Sequence, residues 1–104
     1  MPCITLKKDQ RNQDLSYRDL RCNTDLNDTN FTDAKLVGAN LSGLKLDKTK
    51  FVRADLRGAN LSGTNLKETN FTDALIAGTN FTGAVWTNVT CPDGSKATKG
   101  AACV

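Results

Sequence analysis

The chain repeats itself every twenty residues and, more loosely, every five. Phe31, Phe51 and Phe71 mark the longer period. A period of five fits neither an α-helix nor a plain strand, because repeats of about 3.6 and 2 residues both fail to bring every fifth residue to one face. It fits a solenoid, in which short units bury their apolar side chains by stacking on one another.

A backbone that turns a corner every five residues completes one coil in twenty, and successive coils then stack at the inter-strand spacing of about 4.8 Å. A large apolar residue occupies every fifth position, and we expect these side chains to point inward in four columns. The predicted core is Leu26, Phe31, Leu36, Leu41, Leu46, Phe51, Leu56, Leu61, Leu66, Phe71, Ile76, Phe81 and Trp86.

The corners of the coil are also visible in the sequence. Two of them carry glycines, which accept positive φ: Gly38, Gly58 and Gly78 at one, and Gly43, Gly63 and Gly83 at the next. The other two carry Asp33, Arg53 and Asp73, and Asp28, Lys48 and Glu68. At these two corners we expect a turn type that any L-residue can adopt. The column of Asn40, Asn60 and Asn80 belongs to the repeat, so its Asn-X-Ser/Thr sequences are weak evidence for glycosylation.

The 104 residues are enough for one domain, 1–104. We expect an irregular N-terminal coil or cap over 1–23, regular repeats over 24–91 and a C-terminal cap over 92–104. No stretch approaches the roughly 20 apolar residues that a membrane span needs, and the start, MPCITLKKDQ, lacks the apolar core of a secretory signal. We therefore expect no membrane segment.

The four cysteines, Cys3, Cys22, Cys91 and Cys103, lie two near each end, with none among the regular repeats between them. Their even number favours two disulfides in an oxidising compartment, with a signal peptide removed before this numbering begins. Four reduced thiols in a cytosolic protein and a zinc site are the alternatives, although the chain has no histidine. If Leu6 is threaded one coil below Leu26, Cys3 falls about one coil from Cys22. The expected pairs are Cys3 with Cys22 and Cys91 with Cys103.

The sequence offers little for catalysis. Without histidine, a general base would be a carboxylate or lysine with a shifted pKa in a concave pocket, which a filled solenoid does not provide. The carboxylates take outward or corner positions, as do Ser42 and Ser62. We expect no catalytic residue, no metal and no cofactor. The carboxylates at these outward or corner positions are Asp28, Asp33, Asp47, Asp55, Glu68 and Asp73.

The middle coil is basic, which by itself would suggest a phosphate-binding band. It carries Lys45, Lys48, Lys50, Arg53 and Arg57. The twenty-residue register sets Lys48 between Asp28 and Glu68, Arg53 between Asp33 and Asp73, and Lys35 beneath Asp55. Charges that alternate along a column stabilise the stacking of coils, and no surface aromatic residue is available to stack on bases. We expect no nucleic-acid binding.

Units such as ADLRG, ANLSG and TNFTD follow the pattern A(D/N)LXX, and by this pattern the chain resembles the pentapeptide repeat family. The resemblance covers residues 24–91 and implies an all-β fold, a right-handed quadrilateral β-helix. With the twenty-residue period this gives about four coils and irregular disulfide-linked caps at both ends. Many members that it resembles are cyanobacterial or chloroplast-lumenal and have no established role.

We therefore expect a non-catalytic structural or protein-interaction module of the periplasm or thylakoid lumen, monomeric, with an unknown protein partner. The alternative from the family is a DNA mimic that modulates a type II topoisomerase such as gyrase. The short chain and the net charge of +3 disfavour that alternative. A partner surface could include the outward apolar residues Val37, Val52, Leu75, Ala77 and Val85.

Overall fold

The computed structural model describes residues 2–97 and residue 103. Four short strands carry continuous pairing. Strand β1 (Asn65–Lys67) pairs in parallel with β2 (Val85–Thr87), which sets Leu66 opposite Trp86. Strand β3 (Val89–Thr90) pairs antiparallel with β4 (Lys96–Ala97) and forms a hairpin near the C-terminus. None of the described residues lies in a helix, so none of the described segments is a helix that could cross a membrane.

Elsewhere the coils are joined by single parallel bridges that recur every twenty residues. Asn30 bridges to Lys50, Lys50 to Asn70, and Asn70 to Thr90. The amide of Phe31 donates to the carbonyl of Lys50 at 2.7 Å, and the amide of Lys50 donates to the carbonyl of Thr29 at 2.9 Å. Each coil thus bonds to the next through its backbone, and the fold is a β-helix.

The first coil pairs with an offset of twenty-one residues. Asp9 bridges to Asn30, Asp14 to Lys35, and Asp19 to Asn40. This offset arises because Asn23 is one residue more than the repeat requires. The threading of Leu6 twenty residues below Leu26 therefore does not describe the register of this coil.

The side chain of Asn23 stabilises the extra residue. Its Nδ2 donates to the carbonyls of Ile4 and Leu20 at 2.8 and 2.9 Å, and its Oδ1 accepts from the amide of Leu6 at 2.8 Å. Asn23 is buried. A buried amide is stable only when its hydrogen bonds are made, so this residue holds the N-terminal segment against the first coil.

The inward columns form the core. The rings of Phe31, Phe51 and Phe71 stack with centroids 5.1 and 5.2 Å apart and interplanar angles of 3° and 6°. Of the predicted core residues, Ile76 and Phe81 are only partly buried, whereas the others are buried. Buried residues that were not in the predicted core include Leu15, Leu20, Leu44 and Val89, and most of the alanines and threonines two positions before the inward residue, whereas Thr79 and Ala84 near the C-terminal end are only partly buried.

The corner prediction is wrong for the two corners without glycine. Asp33, Arg53 and Asp73 have φ of 61°, 56° and 58°, in the left-handed region. The turn is closed by the amide of Ala34, which donates to the carbonyl of Phe31 at 2.9 Å. The residue before each of these has negative φ, and a negative φ followed by a positive one is the order found in a type II turn. The stacked core imposes the same turn on charged residues that it imposes on glycine.

Candidate functional site

The outward asparagines form a regular turn. Oδ1 of Asn40 accepts from both the amide and the hydroxyl of Ser42, at 3.1 and 2.8 Å, and Asn60 binds Ser62 in the same way at 3.0 and 2.6 Å. Asx turns of this kind stabilise local backbone. The recurring Asn-X-Ser sequence is thus explained by a hydrogen bond across the inward residue.

A second pattern joins aspartate to arginine within one coil. Arg57 donates to Asp55 through Nε and Nη2, at 2.9 and 2.6 Å. The same two-bond contact joins Arg11 to Asp9 and Arg21 to Asp19. These pairs were missed in the sequence, although the signal is there: Asp-X-Arg places both side chains outward on either side of an inward position.

Between coils, one of the expected charge pairs is a direct contact. Arg53 donates to Asp33 through Nε and Nη2 at 2.8 and 3.0 Å, while Asp73 affects the pKa of Arg53 by charge attraction alone. In the described part of the chain, no ion pair within 4.0 Å involves Lys48. The basic band is therefore neutralised at its arginines more than at its lysines.

These contacts set the ionisation of the carboxyl groups. Hydrogen bonds from the side chains of Arg11 and Arg21 lower the pKa of Asp9 and of Asp19 to about 2. The side chain of Arg53 lowers the pKa of Asp33, and that of Arg57 lowers the pKa of Asp55. General acid catalysis near neutral pH needs a carboxyl group with a raised pKa. These aspartates are held as carboxylates.

The cysteines are joined at the two ends of the solenoid. Cys3 and Cys22 form a disulfide with a Cα–Cα distance of 5.9 Å, and Cys91 and Cys103 form another at 5.2 Å. Among residues 2–97 and 103, no group of three or more His, Cys, Asp or Glu side chains is placed to hold a metal ion.

The C-terminal end is covered unevenly. The amide of Phe71 donates to the carbonyl of Thr90 at 2.8 Å, which places Cys91 above Phe71. Beside this column, the ring of Trp86 lies 4.8 Å from that of Phe81 and 6.2 Å from that of Phe71. The hairpin of β3 and β4 follows, while Ile76 and Phe81 remain partly exposed.

The outward apolar residues do not form one column. In the twenty-residue register, Leu75 lies above Asp55, Val85 lies above Asn65, and Val37 lies two coils below Ala77. Val52 belongs to a further column, between Thr32 and Thr72. The structure also exposes Tyr17 by 74%, with its ring against Gly38. The expectation that no aromatic residue lies on the surface is therefore wrong at Tyr17, which precedes the regular repeats.

One side of the solenoid carries no charge over three coils. We call it the uncharged face, and it consists of residues 38–43, 58–63 and 78–83, which read GANLSG, GANLSG and GTNFTG. Its outward side chains are the Asn, Ser and Thr of the turns just described, and glycines form both edges. Within these three coils the aspartates, lysines and arginines lie on the other sides, whereas in the first coil the charged residue Asp19 bridges to Asn40 on this side.

Comparison with known proteins gives two kinds of result. Residues 24–95 match the profile of the family described as Pentapeptide repeat region. The comparison with curated proteins gave no significant match.

Among solved structures, HetL, a pentapeptide repeat protein involved in heterocyst differentiation regulation in the cyanobacterium Nostoc sp. strain PCC 7120, is 31% identical with a TM-score of 0.79, over 86% of this chain and 42% of HetL. The chain thus spans about two fifths of HetL. Rfr23 of the cyanobacterium Cyanothece 51142 is 30% identical, with a TM-score of 0.45 over 73% of this chain and 58% of its own. A pentapeptide repeat protein of the Arabidopsis thaliana thylakoid lumen is 28% identical, with a TM-score of 0.35 over 83% and 70%.

Proposed function

The chain belongs to the pentapeptide repeat family, and from this premise we propose that it is a non-catalytic structural or protein-interaction module that acts through its outer surface. The observation that carries the proposal is that polar side chains on the surface are engaged in turns and ion pairs. The aspartates with shifted pKa values are all held as carboxylates by arginine or by turn donors. Side chains that are committed to turns and ion pairs stabilise a surface and do not transfer protons.

The finer architecture is part of the proposal. We take the β-helix to be right-handed and four-sided, with about four coils of twenty residues. Support comes from the four residues of positive φ in each of three successive regular coils, such as Lys48, Arg53, Gly58 and Gly63 in one of them. We also take 1–104 as a single domain, with caps at 1–23 and 92–104 and regular repeats over 24–91. Residues 98–102 and 104 of the second cap lie outside the described residues.

The disulfides support a place in an oxidising, extracytoplasmic space, either the periplasm or the thylakoid lumen. We propose that the protein acts there as a monomer and binds another protein, without nucleic acid or membrane. The net charge of +3 and the paired arginines count against imitation of DNA. HetL is involved in the regulation of differentiation, and likeness to it favours a role in regulation by contact.

The uncharged face is the side that we propose for the partner. Charged side chains must lose water on docking, whereas this face offers turns whose hydrogen bonds are already made, so it costs less to desolvate. Its glycine edges also allow close approach of a second backbone.

The test is site-specific photo-crosslinking in the cells that make the protein. A photoreactive residue is placed at Ser62 on the uncharged face or, as matched controls, at the exposed positions Lys50 and Arg57. We expect one defined protein adduct from position 62 and none from positions 50 and 57. Adducts from the control positions alone would move the partner surface elsewhere, and no adduct from any position would contradict the proposal of an interaction module.

A further inference from the structure

The ring of Tyr17 borders the uncharged face at its N-terminal end. The amide of Tyr17 donates to the carbonyl of Val37 at 2.8 Å, and the ring lies against Gly38, the first residue of that face. In the coils above, the same corner is formed by Gly38, Gly58 and Gly78, and all four residues have positive φ. Glycine makes such a turn with less strain, so the turn does not require a tyrosine. Burial does not require it either, because Tyr17 is 74% exposed and its ring is open to a ligand.

The asparagines of the uncharged face offer hydrogen-bond donors. In Asn40 and Asn60, Oδ1 accepts two bonds, from the amide and the hydroxyl of the serine two residues further on. Oδ1 of Asn80 accepts from the amide of Thr82 at 2.9 Å. In none of these three asparagines does Nδ2 donate to a described residue, whereas Nδ2 of the buried Asn23 donates to two carbonyls. The face therefore presents a ladder of N–H groups, while its amide oxygens are used by the turns.

A ligand that complements this ladder supplies acceptors and few donors. A proline-rich segment does so, because each proline has a carbonyl but no N–H group and carries no charge. An ordinary extended strand brings backbone N–H groups and a sugar brings hydroxyl groups, and both need acceptors that the asparagines have already given to the turns. Proline-rich segments are also recognised by aromatic side chains, which Tyr17 supplies.

The spacing of the coils fits the same ligand. A polyproline II helix advances by about 9.3 Å in one turn of three residues. Two coils of the solenoid advance by about 9.6 Å. A polyproline II helix that runs along the solenoid axis therefore sets carbonyls one turn apart opposite Asn40 and Asn80, with a proline ring over Tyr17 at the N-terminal end.

We propose that the partner docks on the uncharged face through a proline-rich segment in the polyproline II conformation. Tyr17 packs against its proline rings, and Nδ2 of Asn40 and of Asn80 donate to its carbonyls. Such a segment holds its conformation before it binds, so little conformational entropy is lost on docking. This inference rests on the proposed function, since it names the kind of partner that the face receives.

The probe is synthetic decaproline, titrated into the isotopically labelled protein and followed by NMR. Tyr17 is the single tyrosine of the chain, so its ring signals are assigned directly. We expect decaproline to shift the ring signals of Tyr17 and the side-chain amide signals of Asn40 and Asn80. The side-chain amides of Asn30 and Asn70 lie on another side of the solenoid and should not shift.

Two variants remove the two kinds of contact. Tyr17→Ala removes the ring. Asn80→Asp removes the N–H donors but keeps the oxygen that the turn needs. Aspartate forms this turn elsewhere in the chain, since Oδ1 of Asp93 accepts from the amide and the hydroxyl of Ser95 at 2.9 and 2.6 Å. We expect each variant to weaken the binding of decaproline by about fivefold or more.

Asn70→Asp is the matched control. Asn70 and Asn80 share the sequence Asn-Phe-Thr and the same turn, in which the threonine amide donates to Oδ1 at 3.0 and 2.9 Å. The two variants thus make the same change in charge, one on the uncharged face and one away from it. We expect Asn70→Asp to bind decaproline as the wild type does. Far-UV circular dichroism checks that each variant is folded, and the shifts in the wild-type protein decide the question should a variant fail to fold.

Three results would overturn the proposal. The first is the absence of shifts at Tyr17, Asn40 and Asn80 with decaproline in large excess, and the second is equal weakening by Asn70→Asp and Asn80→Asp. The third is an equal response to cellohexaose or to a glycine–serine peptide of the same length, which would assign the face to a sugar or to any extended peptide. Crosslinking from Ser62 decides separately whether the face receives a partner protein, so this inference and the proposed function can fail independently.

Discussion

The hydroxyl of Thr49 donates to the carbonyl of Leu26, one coil away, at 2.7 Å. Thr69 binds Leu46 in the same way at 2.7 Å. Thr29 stands in the same column and is equally buried, but its Oγ1 has no partner among the described residues. The column runs into the first coil, where the offset of twenty-one residues displaces the carbonyl that the ladder needs.

Replacing the two threonines by valine should therefore give different results. Thr49→Val removes a buried hydrogen bond and should lower the free energy of unfolding by about 1 kcal/mol. Thr29→Val removes a buried hydroxyl that makes no bond, and it should leave stability unchanged or raise it. Urea unfolding of both variants under one set of conditions measures the difference. Equal losses would mean that the hydroxyl of Thr29 is satisfied in solution.

Glycine is favoured at Gly38 and Gly43 for partly different reasons. Both have positive φ, of 65° and 73°, so an alanine at either position should cost about 1–2 kcal/mol. A Cβ at Gly43 meets nothing within 4 Å, whereas one at Gly38 lies 2.6 Å from the ring of Tyr17. Gly38→Ala should destabilise more than Gly43→Ala, as measured by thermal or urea unfolding.

The excess cost at Gly38 should depend on Tyr17. In the background Tyr17→Ala, the two alanine substitutions should have equal effects, because the ring that meets the new Cβ is gone. A persistent excess in that background would place the strain in the backbone instead.

Stability should fall in acid as Asp9 and Asp19 become protonated. Arginine contacts depress the pKa of these groups from 3.8 to about 2 in the folded state. A depressed pKa contributes stability above the unfolded value, and this contribution is lost as pH falls from about 4 to about 2. The double variant Asp9→Asn, Asp19→Asn should be less stable than wild type at pH 7, and the gap should close over that interval. Thermal unfolding at low salt over this pH range measures the difference in stability between the two proteins. A difference that stays constant would contradict the lowered pKa values of Asp9 and Asp19.

The aromatic stack should be most sensitive at its middle. Phe51 is fully buried between the rings of Phe31 and Phe71, so Phe51→Ala should cost about 3–5 kcal/mol. Phe81 is partly exposed at the C-terminal end, and Phe81→Ala should cost clearly less. Chemical unfolding distinguishes the two. Equal costs would show that the C-terminal end is better covered in solution than the partial burial of Phe81 implies.

Much of the core could be predicted from the sequence, because a similar large apolar residue returns to each inward position every twenty residues. The columns of leucine and phenylalanine can be predicted from the period alone, without knowledge of contacts between distant residues. What the period could not show is where stacking stops. Ile76 and Phe81 look the same as other repeat residues in the sequence, yet they are less buried, because only part of their coil is covered by the segment that follows.

The sequence by itself determined the period, the inward columns and the separation of the cysteines from the repeats, since these depend on residue identity at fixed spacing. Only the tertiary structure decided the left-handed corners at Asp33, Arg53 and Asp73, because their strain is accepted to keep the columns stacked. It also decided the offset at Asn23, which depends on buried amide hydrogen bonds to Ile4, Leu6 and Leu20. Such contacts become visible only when the coils lie against one another.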